Sequence, residues 1–211
     1  MRTEDLVSAL AADTVPRPTP GARMGKALPL ALVASVGMVL LFWGLRADLH
    51  AVLVSPVMAK TLVPLALAAV AFWLARELVR PDAPARIGAV VCALIGAAVM
   101  AGLAVALVIG GGGAALAQAL DTGSLWVCLL SVPVLAAAPL VAALWALRSG
   151  APLRPAAAGA AAGLLAGAAG AAVYSFYCTE DAALFVIPAY GVAIGSVCLC
   201  GALLGRRVLR W

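Results

Sequence analysis

The sequence predicts an all-α, polytopic membrane protein, a bundle of six transmembrane helices behind a short polar N-terminal segment. Three observations predict it. Of the 211 residues, 65% are hydrophobic and only 11% are charged, with a mean hydropathy of +1.12, a surface that no water-soluble domain tolerates. Apolar runs long enough to span about 30 Å of hydrocarbon at about 1.5 Å per residue begin after Lys26 and recur to the C-terminus. The nine acids and fourteen bases gather at the ends and in short connectors instead of spreading along amphipathic faces, so the solvent for the middle of the chain is lipid.

Residues 1–26 are polar, contain Glu4, Asp5 and Asp13, and are too long and acidic for the basic start of a secretory signal. They are expected to stay on the mature chain. Thr3 is placed to cap a short helix, Glu4 and Asp5 suit its positive end, and Leu6, Val7 and Leu10 share one face. Pro16 stops that helix, and the stretch from Pro16 to Pro20 makes a semi-rigid spacer. Read from the residues alone, a disordered cytoplasmic tail is the simpler account.

The remainder, 27–211, forms the transmembrane domain, with spans expected at about 27–45, 56–75, 87–109, 125–147, 156–177 and 183–204. Lys and Arg orient it, because cytoplasmic connectors are enriched in them. Twelve of the fourteen basic residues precede span one, lie between spans two and three or four and five, or close the chain. Arg46 and Lys60 remain on the other side, where Lys60 can snorkel from the head of span two. Both termini are therefore expected in the cytoplasm. Trp43, Trp73 and Trp145 each stand three residues before an arginine at a span end and read as interfacial anchors. Gly110 to Gly113 reads as a flexible outer turn; with no P-loop register behind it, it is no phosphate cradle. In span five, Gly159, Gly163 and Gly167 recur at four-residue spacing, as do Gly191 and Gly195, then Gly201 and Gly205, in span six. Such faces let helices approach closely, and they are also open to a second copy of the chain.

The basic balance, +5 formally, forms no patch or stripe, so direct nucleic-acid binding is not expected. No carboxylate, lysine or histidine lies near a span midpoint, against ion-coupled transport. His50 is the sole histidine; a bis-histidine haem or a zinc hydrolase needs more ligands. No Ser-His-Asp set or intramembrane carboxylate pair can be assembled, so neither an enzyme nor a cofactor is expected. Among the five cysteines, Cys92, Cys198 and Cys200 read as small apolar residues. Cys128, a turn inside the outer head of span four, and Cys178, at the outer foot of span five, come to one level. There two thiols could form a disulfide or share a soft metal ion. Glu180 and Asp181 could add hard ligands, or simply belong to a solvated turn. A channel or small transporter for a neutral solute and, more weakly, a thiol-oxidoreductase subunit stay open on these grounds.

Several short motifs occur in a fixed order. They are Thr3-Glu4-Asp5-Leu6-Val7-Ser8-Ala9-Leu10-Ala11-Ala12-Asp13 with Pro16, Pro18 and Pro20 behind it, Leu45-Arg46-Ala47-Asp48-Leu49, and Lys60 opening span two. Tyr177-Cys178-Thr179-Glu180-Asp181 and the closing Gly205-Arg206-Arg207-Val208-Leu209-Arg210-Trp211 complete the set. Together with six spans, they resemble the NrsF-like membrane anti-sigma factors, negative regulators of extracytoplasmic-function sigma factors, over essentially the whole chain. Ala47 departs from the family pattern, which has proline after the arginine. The resemblance implies that the N-terminal segment holds a sigma factor away from core RNA polymerase, with Leu6, Val7, Leu10 and Asp13 as its contacts. A helix this short would fold against the partner's groove. It also implies that an outer cysteine pair, matched by Cys128 and Cys178, triggers release under metal stress.

Overall fold

Thr19 sets the start of the first long helix. Its side-chain oxygen accepts the Ala22 N–H at 3.2 Å, and Pro20 occupies the first helical position, where its missing N–H costs nothing. The helix therefore begins at Pro20 and not near residue 27. The computed structural model describes residues 2–12, 19–50, 55–80 and 86–210. Among these residues there are eight α-helices and no strand. They are α1 (Thr3–Ala12), α2 (Pro20–Phe42), α3 (Ala59–Leu78, entered through a 3-10 turn at Pro56–Met58), α4 (Arg86–Gly110), α5 (Gly112–Leu120), α6 (Gly123–Leu147), α7 (Pro155–Tyr174) and α8 (Ala183–Val208). Six of these, counting the 3-10 turn with α3, are long and apolar enough to cross a membrane.

The expected flexible turn at Gly110 to Gly113 is tighter than that. α4 runs through Gly110, Gly111 takes a left-handed conformation (φ 101°), and α5 starts at once. Only glycine enters that conformation without steric cost, and the extra helix packs back on α4 and α8.

α7 lies at the centre, packed on α8, α3 and α6. Its composition explains the place: a helix of Ala and Gly is thin, so neighbours approach its backbone from several sides. A Cβ on Gly159 would stand 2.7 Å from the Gly205 Cα, one on Gly163 2.8 Å from the Cys198 Cα, and one on Gly170 2.9 Å from the Val132 carbonyl. The expected seam thus joins α7 to α8 through Gly201 and Gly205. Gly191 and Gly195 take no part, since a Cβ there would meet nothing within 4 Å. α4 is the peripheral span, burying only Gly88, which sits on Leu74 of α3.

Prolines inside the spans leave carbonyls unpaired, and in lipid such groups need another partner. Pro139 removes the N–H that would bond Leu135, and the buried Ser35 hydroxyl of α2 donates to that carbonyl at 2.8 Å. Between α3 and the end of α7, Ser175 gives its proton to the Ala172 carbonyl at 2.7 Å, so Thr61 donates to Ser175 at 2.7 Å. Of the expected interfacial tryptophans, Trp73 and Trp145 are exposed and Trp43 is partly buried. The Arg23 guanidinium lies 5.8 Å from the centre of the Trp145 ring.

Candidate functional site

The connectors opposite the chain termini converge on one constellation. α2 ends at Phe42, and Gly44 turns the chain back with φ 80° while its N–H bonds the Val39 carbonyl at 2.8 Å, a helix ending that favours glycine. Two residues on, the Arg46 N–H donates to the Phe176 carbonyl at 3.1 Å. This brings its guanidinium over the turn that links α7 to α8.

All five guanidinium N–H groups are engaged. Nε and Nη2 hold Asp48 at 2.7 and 2.8 Å, Nη1 and Nη2 hold Asp181 at 2.9 and 3.0 Å, and Nη1 also reaches the Cys178 carbonyl at 3.0 Å. Lys60 enters from the head of α3. Its three ammonium protons go to the Cys178 carbonyl at 2.6 Å, the Glu180 carbonyl at 3.2 Å and Asp181. Two cations and two carboxylates therefore balance, with no donor left over. Lys60 does not snorkel to water as its position suggested: it is 7% exposed, and Arg46 is 6% exposed.

The electrostatics follow from that geometry. The Arg46 guanidinium holds the Asp181 carboxyl down at about 2, with Lys60 adding to the effect. Asp48 is lowered by the same arginine, and Arg46 is raised by Asp48 first and Asp181 second. The cover is thin, since the Asp48 side chain is 57% exposed. Glu180 turns the other way and accepts from the Ser124 hydroxyl at 3.2 Å, which pins the turn to the first turn of α6.

Beneath this clamp lie the two candidate thiols. Cys128, in α6, is 0% exposed, and Cys178, just past α7, is 3% exposed. They are close enough to interact electrostatically with each other, and both face Tyr174 and Tyr190. Both are free thiols. The Tyr190 hydroxyl approaches Cys178 but falls short of a hydrogen bond, and it is buried without a partner. Neither thiol is open to water in this arrangement. Burial pushes the Cys178 thiol up, against the lowering pull of the Glu180 backbone and Lys60. The carboxylates considered as hard ligands are committed to Arg46, Lys60 and Ser124. Among the described residues, no group of three or more His, Cys, Asp and Glu is placed to hold a metal ion. The available soft donors are two sulfurs. Cys92, Cys198 and Cys200 lie elsewhere, on α4 and α8.

The N-terminal segment is helical over Thr3–Ala12. Thr3 begins the helix but does not cap it. Arg2 holds the cap position, donating its N–H to Asp5 Oδ2 at 3.1 Å and accepting the Asp5 N–H at 3.1 Å. Val7 is 59% exposed. The side chains of Leu6 and Leu10, and Asp13 altogether, lie outside the described residues.

In the sequence, Arg46 and Asp48 stood out only as parts of a motif, and Lys60 only as a motif residue placed to snorkel. The signal that could have found them is charge arithmetic: the side with only two basic residues also holds Asp48, Glu180 and Asp181. Comparison with known proteins places the chain in a family. Residues 9–211 match the family NrsF, described as negative regulator of sigma F. The chain is 35% identical over 215 residues to the anti-sigma-F factor NrsF of Caulobacter vibrioides, and 32% identical over 219 residues to the probable anti-sigma-F factor NrsF of Azospira oryzae. Each alignment covers all of both chains. No solved structure matches. The chain therefore belongs to the NrsF family of negative regulators of sigma F, and its Arg46, Lys60 and Cys178 motifs meet at one end of a six-span bundle.

Proposed function

We propose that the protein holds an extracytoplasmic-function sigma factor at the cytoplasmic face of a bacterial inner membrane through α1, and releases it on metal or oxidative stress sensed by Cys128 and Cys178. Both termini are cytoplasmic in this reading, supported by the twelve basic residues at that end. The observation that carries it is that two free, buried thiols, Cys128 and Cys178, lie toward the end of the bundle opposite the termini. α2 runs from that end back to Pro20, and residues 13–18, outside the described residues, separate it in sequence from α1.

Two thiols suit two chemistries. A thiophilic ion bridging both sulfurs displaces two protons, whereas forming a disulfide releases two protons and passes two electrons to an oxidant such as chromate. Burial favours the protonated Cys178 thiol at rest, which holds the unstressed state. At the other end, α1 is too short to be stable alone in water, so its apolar residues gain most from a partner's groove.

The test is retention of the co-expressed sigma factor by the full-length protein in membranes. Replacing Leu6 and Leu10 together by Asp puts charge into the proposed contact and is expected to abolish retention while membrane levels stay unchanged. Undiminished retention would remove α1 from the proposal.

A further inference from the structure

We propose that Arg46 and Asp181 form a latch that couples the Cys178 turn to α2 and, through α2, positions the N-terminal segment. The inference rests on the proposed function for what is released. The latch itself is a property of the fold and can be read separately.

Three relationships support it. First, α2 packs chiefly on α6 and only sparsely on α7. Its firm ties to the 176–181 turn run through Arg46, by the bond from its backbone N–H to Phe176 and from its guanidinium to Cys178 and Asp181. Second, there is little slack. Gly44 closes α2 two residues before Arg46, and α2 then carries a displacement over about 34 Å as one helix. At its far end Pro20 packs beside Gly150, and Gly21 lies against the Arg76 guanidinium. Third, the latch grips the sensor residue. The Cys178 carbonyl accepts from both Arg46 and Lys60, so a bond drawing its sulfur toward Cys128 turns the same residue's carbonyl against two cations.

The network is also all-or-none. Every donor of Arg46 and Lys60 is matched, and a half-broken set leaves a buried charge without its partner. An element that holds or breaks as a unit can be biased from both ends, which is what coupling between distant sites requires. Lys60 anchors the turn to α3, so Arg46 alone is the branch that reaches α2.

The experiment uses the full-length protein in lipid nanodiscs, with two readouts beside sigma-factor retention: the maleimide labelling rate of Cys178, and amide hydrogen exchange in residues 20–30. Asp181→Asn, and Arg46→Lys, which keeps the charge but loses the fork, are expected to raise both rates at least fivefold. Asp181→Glu should restore both to within about twofold of the parent, as loss of a merely folded state would not. Ser35→Ala weakens the α2–α6 contact without touching the turn, and should leave the Cys178 rate unchanged. Faster Cys178 labelling with unaltered exchange at the start of α2 would overturn the latch, and so would unaltered rates in both variants. Faster exchange with the sigma factor still held would support the latch and count against the proposed release.

Discussion

The Ser35 hydroxyl of α2 donates to the Leu135 carbonyl of α6 across 2.8 Å, at the point where Pro139 interrupts the α6 ladder. It stands in for the N–H that Pro139 cannot supply to that carbonyl. Ser35→Ala is expected to cost about 1 to 2 kcal/mol, measured as a shift in denaturant-induced unfolding in mixed micelles. An unchanged midpoint would show that the Pro139 break is satisfied by other means.

Two glycines of α8 four-residue pairs should answer oppositely to the same change. Gly201→Ala drives a methyl against the Gly163 backbone, 2.8 Å from its Cα, and must push α7 and α8 apart. A loss of about 1 to 3 kcal/mol is expected. Gly191→Ala meets nothing within 4 Å and should gain about 0.5 to 1 kcal/mol from helix propensity alone. Equal responses would contradict the packing of this seam.

The Asp181 carboxyl titrates at about 2 in the fold, held down first by Arg46, against about 3.9 for a free aspartate. A depressed carboxylate contributes stability that is present above its unfolded pKa and lost as pH falls through the folded one. The thermal midpoint should therefore stay level from about pH 8 to pH 5 as far as this group is concerned, and fall between about pH 4 and pH 2. Asp181→Asn should reduce that acid-side fall. The side chain is 31% exposed, so solvent screens part of the effect. Cys178 titrates the other way, raised by burial, so its maleimide labelling should still be climbing at about pH 9, where an ordinary thiol of pKa about 8.5 has largely ionised.

The six spans were legible because length and hydropathy suffice for them: every expected span overlaps a long apolar helix. Helix ends were less so, since they depend on local bonds. Thr19 moves the start of α2 back to Pro20, and α7 stops at Tyr174, so Cys178 sits in a turn instead of at a helix foot. The Gly159, Gly163 and Gly167 seam could be read from spacing, but its true partners in α8 could not, because spacing does not say which face of α8 is turned inward. Least legible was the clamp. Arg46 and Lys60 meet Asp181 across 135 and 121 positions of sequence, and no local pattern carries such a distance.

The decisive prediction concerns Cys128 and Cys178 together. The two helices that lead to them, α6 and α7, pack on each other, and both thiols are buried within electrostatic reach of Tyr174 and Tyr190. Serine is nearly the size of cysteine but neither binds a soft ion nor forms a disulfide. Cys128→Ser or Cys178→Ser should therefore leave sigma-factor retention intact and blunt release under cadmium or chromate. The same change at Cys92, Cys198 or Cys200 should do little. Because the thiols are buried, the response of the parent protein should be limited by opening of the turn, and the double Cys128→Ser, Cys178→Ser change should abolish it. A full stress response in the double serine variant, scored by sigma-dependent transcription, would leave both residues as ordinary buried thiols and move the sensor elsewhere in the bundle.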